Sequence, residues 1–192
     1  GSAPMPLEHK QRLMRILPRT RICMHYGLTE ASRAAFIEMH ESSRKLDSVG
    51  TPTPNVDIRI VDEKDGSLPP DEIGEIVVRG DMVMSRYWNN SDETARILVN
   101  GWLRTGDIGY MDGSGYIYLK GRKSELINIG GLKVSPVEIE ETMITLDGIE
   151  DCACIGIPDP DGLSGEAIKA FLVPKEAEAA SRPTKSQIVN HL

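Results

Sequence analysis

Three short stretches carry residue types able to act on a phosphorylated ligand. In Met24-His-Tyr-Gly-Leu-Thr-Glu30 a strand-like run ends at Gly27, and Thr29 and Glu30 follow. A threonine hydroxyl can bond a phosphate oxygen, a glutamate can hold Mg²⁺, and Tyr26 offers a flat face to a nucleobase. The same spacing also describes a plain strand and turn with a capping threonine, since short motifs discriminate poorly. In Thr105-Gly-Asp107 an aspartate after a tight glycine turn can accept two hydrogen bonds from a ribose diol, or simply close a β-turn. The third stretch, YLKGRKSELINIGG at 118–131, sets Lys120, Arg122 and Lys123 ahead of two adjacent glycines. Arg122 follows Gly121 at a strand end, where a guanidinium can clamp ribose or phosphate oxygens. Residues 120–133 hold four cations, Lys133 included, against Glu125 alone, a local +3 in a chain of net charge −7. A solvated loop face is the alternative. Gly130 and Gly131 let another group run close to the backbone, as a narrow tunnel requires. They equally suit a hairpin turn between 126–127 and 133–134, and both readings can hold together.

The elements that must position these residues fall into two textures. Residues 5–18 place Leu13, Ile16 and Leu17 at helical spacing up to Pro18, and 21–26 reads as a strand running into Gly27. From about residue 46, Val56, Ile58 and Ile60 alternate with polar residues, Ile76–Val78 follows a Pro/Gly-rich turn, and Tyr116–Leu119 follows Asp112-Gly-Ser-Gly. Short strands with this punctuation predict a small β-barrel or sandwich. After Arg122 the pattern changes. Ser135-Pro-Val-Glu138 is a helix start with Ser as cap and Pro at the first position, and Ile139, Met143 and Leu146 give one apolar face. Cys152–Ile157 and Ile168–Val173 read as strands, so 123–192 predicts a small α+β module.

Bulk composition narrows the function classes. The 192 residues are 40% hydrophobic and 27% charged, ordinary for a globular protein, and the acidic balance argues against a general nucleic-acid surface. No apolar run approaches a membrane span, and no stretch resembles a cleavable signal. Cys23, Cys152 and Cys154 lack a metal-ligand pattern and suit reduced thiols in a cytoplasm, the last two filling one face of a strand. There is no Walker loop, no Gly-x-Ser-x-Gly elbow, and the four histidines are scattered.

In this order the pieces resemble the AMP-forming acyl-CoA synthetases and related adenylate-forming ligases, a group that includes luciferases and peptide-synthetase adenylation domains. Gly1-Ser-Ala-Pro4 resembles the family's adenine-side loop, Tyr26–Glu30 its next signature, and Ser48-Val-Gly-Thr-Pro and Gly74–Gly80 its barrel segments. Gly101–Asp107 and Gly121 through Glu140 resemble its two most specific signatures. The resemblance implies an α+β fragment. Residues 1–45 would be a remnant of a large N-terminal α/β adenylation core, 46–121 a distorted β-barrel subdomain, and 122–192 a mobile C-terminal domain. The implied reaction joins a carboxylic acid, fatty or aryl, to ATP as acyl-AMP and pyrophosphate, and coenzyme A then displaces AMP. By resemblance Tyr26 stacks on adenine while Gly1, Ser2 and Ala3 line that pocket, Gly27 is cofactor-binding and lies near the acyl pocket, Thr29 touches the α-phosphate, and Glu30 holds Mg²⁺. Asp107 and Arg122 would grip the ribose, Ser124 would take a hinge position usually held by Asp or Lys, and Gly130 and Gly131 would leave room for the pantetheine arm. Asn128 stands where many members have Lys. Two other readings stay open: an adenylation domain serving an acyl carrier protein, and a non-catalytic nucleotide-binding module.

Both ends look cut. The chain opens on Gly1-Ser2, and a capping box at Thr184–Gln187 starts a helix only eight residues before the end. The family's phosphate loop and its adenylation lysine would lie outside these residues, leaving charge on the phosphate oxygens without its main stabiliser. The chain alone is therefore expected to form no acyl-adenylate. Turnover with ATP and any carboxylic acid would overturn that expectation.

Overall fold

The computed structural model describes residues 5–162, 165–175, 183 and 185–191. The expected adenine-side loop 1–4, most of the 175–183 linker and the cap Thr184 lie outside them. The chain divides into two compact units, Gly1–Leu119 and Lys120–Leu192.

In the first unit, α1 (Leu7–Ile16) precedes an antiparallel sheet of β1 (Cys23–Tyr26), β2 (Ala35–Glu38) and β3 (Thr51–Pro52). A five-stranded sheet follows, built from β4 (Val56–Val61), β5 (Gly74–Gly80), β6 (Leu98–Val99), β7 (Trp102–Met111) and β8 (Ile117–Arg122, of which 117–119 belong to the first unit), with α2 (Ser91–Ile97) before β6. Its order is β4-β5-β7-β6, with β8 also paired to β7. The barrel expected for this region is thus an open sheet among the described residues. β4 ends it at one edge, and the bridge from Gly50 reaches Ile117 in β8 rather than β4.

The alternation in β4 does what period two requires: Ile58 and Ile60 are buried while Asp57 and Arg59 are exposed. Ile58, Ile60, Ile76, Val78, Leu103 and Ile117 form one core with Tyr26, Ala31, Ala34 and Ala35. The end of β1 and the loop after it are therefore packed on the larger sheet. On the opposite face Val77 is buried too. It sits in register with Arg59 and Arg104, and the Trp102 ring carries the Arg59 and Arg79 guanidiniums at 4.4 and 4.6 Å from its centroid.

In the second unit, a short 3₁₀ turn (Lys123–Glu125) leads to a hairpin of β9 (Ile127–Ile129) and β10 (Leu132–Val134), then α3 (Pro136–Ile144). The antiparallel pair β11 (Ile149–Pro158) and β12 (Glu166–Pro174) follows, then α4 (Lys185–His191). Ile139, Met143, Ile149, Cys152 and Cys154 make its core. The two thiols lie 3.8 Å apart on one face, and burial pushes Cys154 up to about 12 and Cys152 up as well. Ser135 precedes α3 as expected, but its hydroxyl does not cap the helix; it donates to the Lys120 carbonyl.

Asp112 fixes the β7–β8 turn to the segment before β3. It accepts the Ser114 and Tyr116 N–H groups at 2.9 and 3.0 Å, the Tyr118 hydroxyl at 3.2 Å and the Lys45 ammonium at 2.6 Å. Burial pushes its carboxyl up, but the Lys45 ammonium and these donors outweigh that and hold it below the usual range. A lowered carboxylate stabilises the fold above its unfolded pKa and loses that contribution as pH falls through the lowered value. Asp112→Ala is expected to cost about 2–3 kcal/mol at neutral pH. The deficit relative to the parent should shrink in acid, as read by urea unfolding at several pH values.

Candidate functional site

Tyr26 and Asp107 are 81 residues apart in the chain, and the Tyr26 hydroxyl donates to Asp107 Oδ2 at 2.6 Å. Both are buried, Tyr26 8% exposed and Asp107 6%. A backbone irregularity in β7 puts the carboxylate there. Glu75 and Val77 in β5 face Ile108 and Arg104, so two steps on one strand span four on the other. The extra length is Thr105-Gly106-Asp107, with Gly106 at φ +73. Ladder bonds lost in the bulge are replaced by Thr105, whose hydroxyl donates to the Ile76 carbonyl at 2.7 Å and accepts the Asp107 N–H at 3.0 Å. Among the described residues nothing lies within 4 Å of where a Cβ would stand at Gly106. A ligand can thus approach the backbone beside the buried carboxylate.

The loop after β1 presents Thr29 and Glu30 at the tip of a two-residue turn. Leu28 and Ala31 exchange backbone bonds, N–H to O at 3.0 and 3.3 Å, around them. Gly27 is required by its own chain here: a Cβ would stand 2.6 Å from the Arg33 nitrogen and 2.8 Å from the Ala31 oxygen. Ala31 is fully buried and bridges to Val83, and the Met84 N–H donates to the Glu30 carbonyl at 2.8 Å. Thr29 stays exposed and Glu30 half-buried.

Sequence reasoning missed Tyr87. Its hydroxyl donates to Glu30 Oε1 at 2.5 Å, and its N–H is held at 3.0 Å by Thr94 of α2. The signal available was the scarcity of aromatic residues, 5% of the chain. The Glu30 bond, with burial added, pushes the Tyr87 phenol up to about 12. A group whose pKa is raised on folding stabilises the fold fully below its ordinary value, near 10 for a phenol, and loses that contribution as pH rises through about 12. Tyr87→Phe is expected to lower the stability of the parent most at pH 8–9 and progressively less towards pH 12, as read by denaturant unfolding.

Glu30 suits a hard cation. It is an oxygen donor on a pinned loop, and Mg²⁺ is commonly held by one or two carboxylates together with substrate phosphates. Among the described residues no group of three or more His, Cys, Asp or Glu converges as a metal site.

Arg122, Ser124, Gly130 and Gly131 belong to the second unit. Arg122 ends β8 and is exposed; Ser124 lies in the 3₁₀ turn. Lys120, one of the four clustered cations, pairs with Glu138 at 3.7 Å. Gly130 and Gly131 form the two-residue turn of the β9–β10 hairpin at φ +59 and +94, and no described atom lies within 4 Å of either Cβ position. The hairpin and the open backbone are therefore both present. Gly1, Ser2 and Ala3 lie outside the described residues.

A cavity of about 500 Å³ is lined by Gln11, Met14, Arg15, Pro18, His40 and Leu46, with Ser43, and by none of the residues expected to carry chemistry. No helix among the described residues is long and apolar enough to cross a membrane.

Residues 1–88 match the AMP-binding enzyme family, and residues 138–192 match the AMP-binding enzyme C-terminal domain. A long-chain-fatty-acid–CoA ligase of Bacillus subtilis is 40% identical over 181 residues, 94% of this chain and 32% of that protein. A feruloyl-CoA synthase of an Amycolatopsis species is 36% identical over 178 residues, 92% of this chain and 35% of that protein. The solved O-succinylbenzoate coenzyme A synthetase (MenE) of Bacillus subtilis, in complex with AMP, is 29% identical with a TM-score of 0.81, covering 100% of this chain and 37% of its own. The chain spans about a third of the length of the curated relatives it matches. Two family matches in order along the chain show that it belongs to the AMP-binding enzymes, the adenylate-forming ligases.

Proposed function

We propose that these residues are the C-terminal part of an acid–thiol ligase, which activates a carboxylic acid with ATP and passes the acyl group from acyl-AMP to coenzyme A. The observation that carries this reading is the Tyr26–Asp107 pair beside the open Gly106 backbone. An ionised carboxylate offers about four lone-pair positions, so a bond from Tyr26 is compatible with further donors from a ribose diol. The Tyr26 ring would pack on adenine, while Arg122 would add a guanidinium to the ribose or phosphate oxygens. Thr29 and Glu30 sit together on the pinned turn, so Thr29 would bond the α-phosphate and Glu30 would hold Mg²⁺, which neutralises phosphate charge. The Gly130–Gly131 turn would let the pantetheine arm pass close to the backbone. Ser124 would be the pivot of the second unit. The acid is fatty or aryl, in keeping with the acids named for the two relatives.

The test uses the product of the complete open reading frame that encodes these residues. With ATP and Mg²⁺ it should release pyrophosphate in the presence of a fatty or aryl acid, and form a thioester when coenzyme A is added. Asp107→Ala should raise KM for ATP about tenfold or more, the loss of a charge-assisted bond to ribose. A folded gene product that releases no pyrophosphate with any acid of a broad panel would sink the ligase reading and leave a nucleotide-binding module. Thioester formation only on a holo-carrier protein would move the acceptor from coenzyme A to that partner.

A further inference from the structure

Glu166 opens β12, yet its carboxylate is committed to a different hairpin. Oε2 accepts the Asn128 backbone N–H at 2.7 Å. A Cβ at Gly156 would stand 2.9 Å from Oε1, so the bare face of this glycine on β11 is where the carboxylate fits. The neighbouring Gly165 bridges to Ile129, which ties the same edge of the hairpin a second time. Within the hairpin, the Asn128 side-chain oxygen accepts the Gly131 N–H at 3.0 Å. A continuous run of contacts thus links Gly156, Glu166, Asn128 and the glycine turn.

The hairpin needs such an anchor. Each of its strands has three residues, and two short strands alone are marginal in water. Ile127 is buried and Val134 packs on the core, which secures the base. At the tip Gly130, Gly131 and Leu132 are exposed. A glycine pair with positive φ at both residues has the largest conformational freedom to lose, so a tip without outside bonds would sample many backbone states.

We propose that Glu166 is a positioning residue for thiol transfer: through the Asn128 N–H its carboxylate holds the Gly130–Gly131 turn in the one conformation that admits a pantetheine arm. This rests on the ligase reading above. Glu166 touches neither nucleotide nor acid in that scheme, so its loss acts on the second half-reaction alone.

The decisive variants are Glu166→Ala, which removes the acceptor, and Glu166→Gln, whose amide oxygen can still accept the Asn128 N–H. In the complete gene product, Glu166→Ala should raise KM for coenzyme A about tenfold and leave pyrophosphate release without thiol unchanged within about twofold. Glu166→Gln should recover most of that loss. In the 192-residue chain, amide exchange at Asn128 and Gly131 should quicken about tenfold in Glu166→Ala. Unchanged exchange would show that the carboxylate does not hold the turn, and would overturn the proposal. Quickened exchange with an unchanged KM for coenzyme A would overturn its role in thiol transfer. Absence of pyrophosphate release in the parent itself would instead be a failure of the ligase reading, with the exchange measurement still deciding the anchor.

Discussion

A carboxylate with 6% exposure is costly unless donors reach it, and Asp107 is reached from the far end of β1 by the Tyr26 hydroxyl. Much of the first unit follows from that constraint. Tyr26 can deliver its hydroxyl only if its ring lies in the core, and it lies there with Ala31, Ala34 and Ala35 against Ile58, Ile76 and Leu103. Small residues after the loop let the two sheets approach closely enough for the bond to form. Once β1 is fixed in this way, the Thr29–Glu30 turn has one place to go, and Val83, Met84 and Tyr87 meet it there. The bulge that aims Asp107 inward is stable because Thr105 bonds both the neighbouring strand and the bulge itself. Replacing ladder bonds by side-chain bonds lets an irregular backbone persist inside a sheet.

The two periodic strands β4 and β11 were legible from sequence because burial on one face imposes an alternation. Val56–Ile60 shows it in β4; in β11 it holds for Cys152–Cys154, and beyond that Ile155 and Gly156 are both exposed. β7 was not legible. Its ten residues contain Gly106 and Gly109, which on local propensity mark turns. In the folded chain Gly106 sits in the bulge, and Gly109 lies so close to the Tyr118 carbonyl that a Cβ would stand 2.2 Å from it. The bulge at Gly106 and the close approach at Gly109, both invisible to a local reading, turned these turn signals into strand features. α2 escaped for a different reason. Seven residues give no apolar period, and its start depends on the Asn90 side chain accepting the Glu93 N–H at 3.2 Å.

The site divides the same way. Tyr26, Thr29, Glu30 and Asp107 could be named from motif spacing and resemblance, but their partners could not. No sequence rule joins residue 26 to 107 or residue 30 to 87; those pairings arise where β1 and the loop after it pack on the larger sheet and on the segment that follows β5. Ser135 illustrates the converse. Its position before Pro136 marks the helix start correctly, yet the hydroxyl donates to the Lys120 carbonyl, tying the helix start to the end of β8. A capping pattern locates a boundary without deciding which orphan group the side chain serves.

Asn128 shows how one substitution exchanges one kind of control for another. Resemblance to the family raises the expectation of lysine there, a side chain with three donors and no acceptor. Such a residue could offer charge to a phosphate but could not accept the Gly131 N–H, as the Asn128 oxygen does. Asparagine therefore gives up a cation and gains a bond that closes the glycine turn from within. The backbone N–H of any residue at 128 could still reach Glu166, so the outer anchor does not depend on the side chain. With both bonds present, the turn is held by its own side chain on one side and by β12 on the other. The positive charge of the stretch then rests on neighbouring cations such as Arg122, while the hairpin contributes shape.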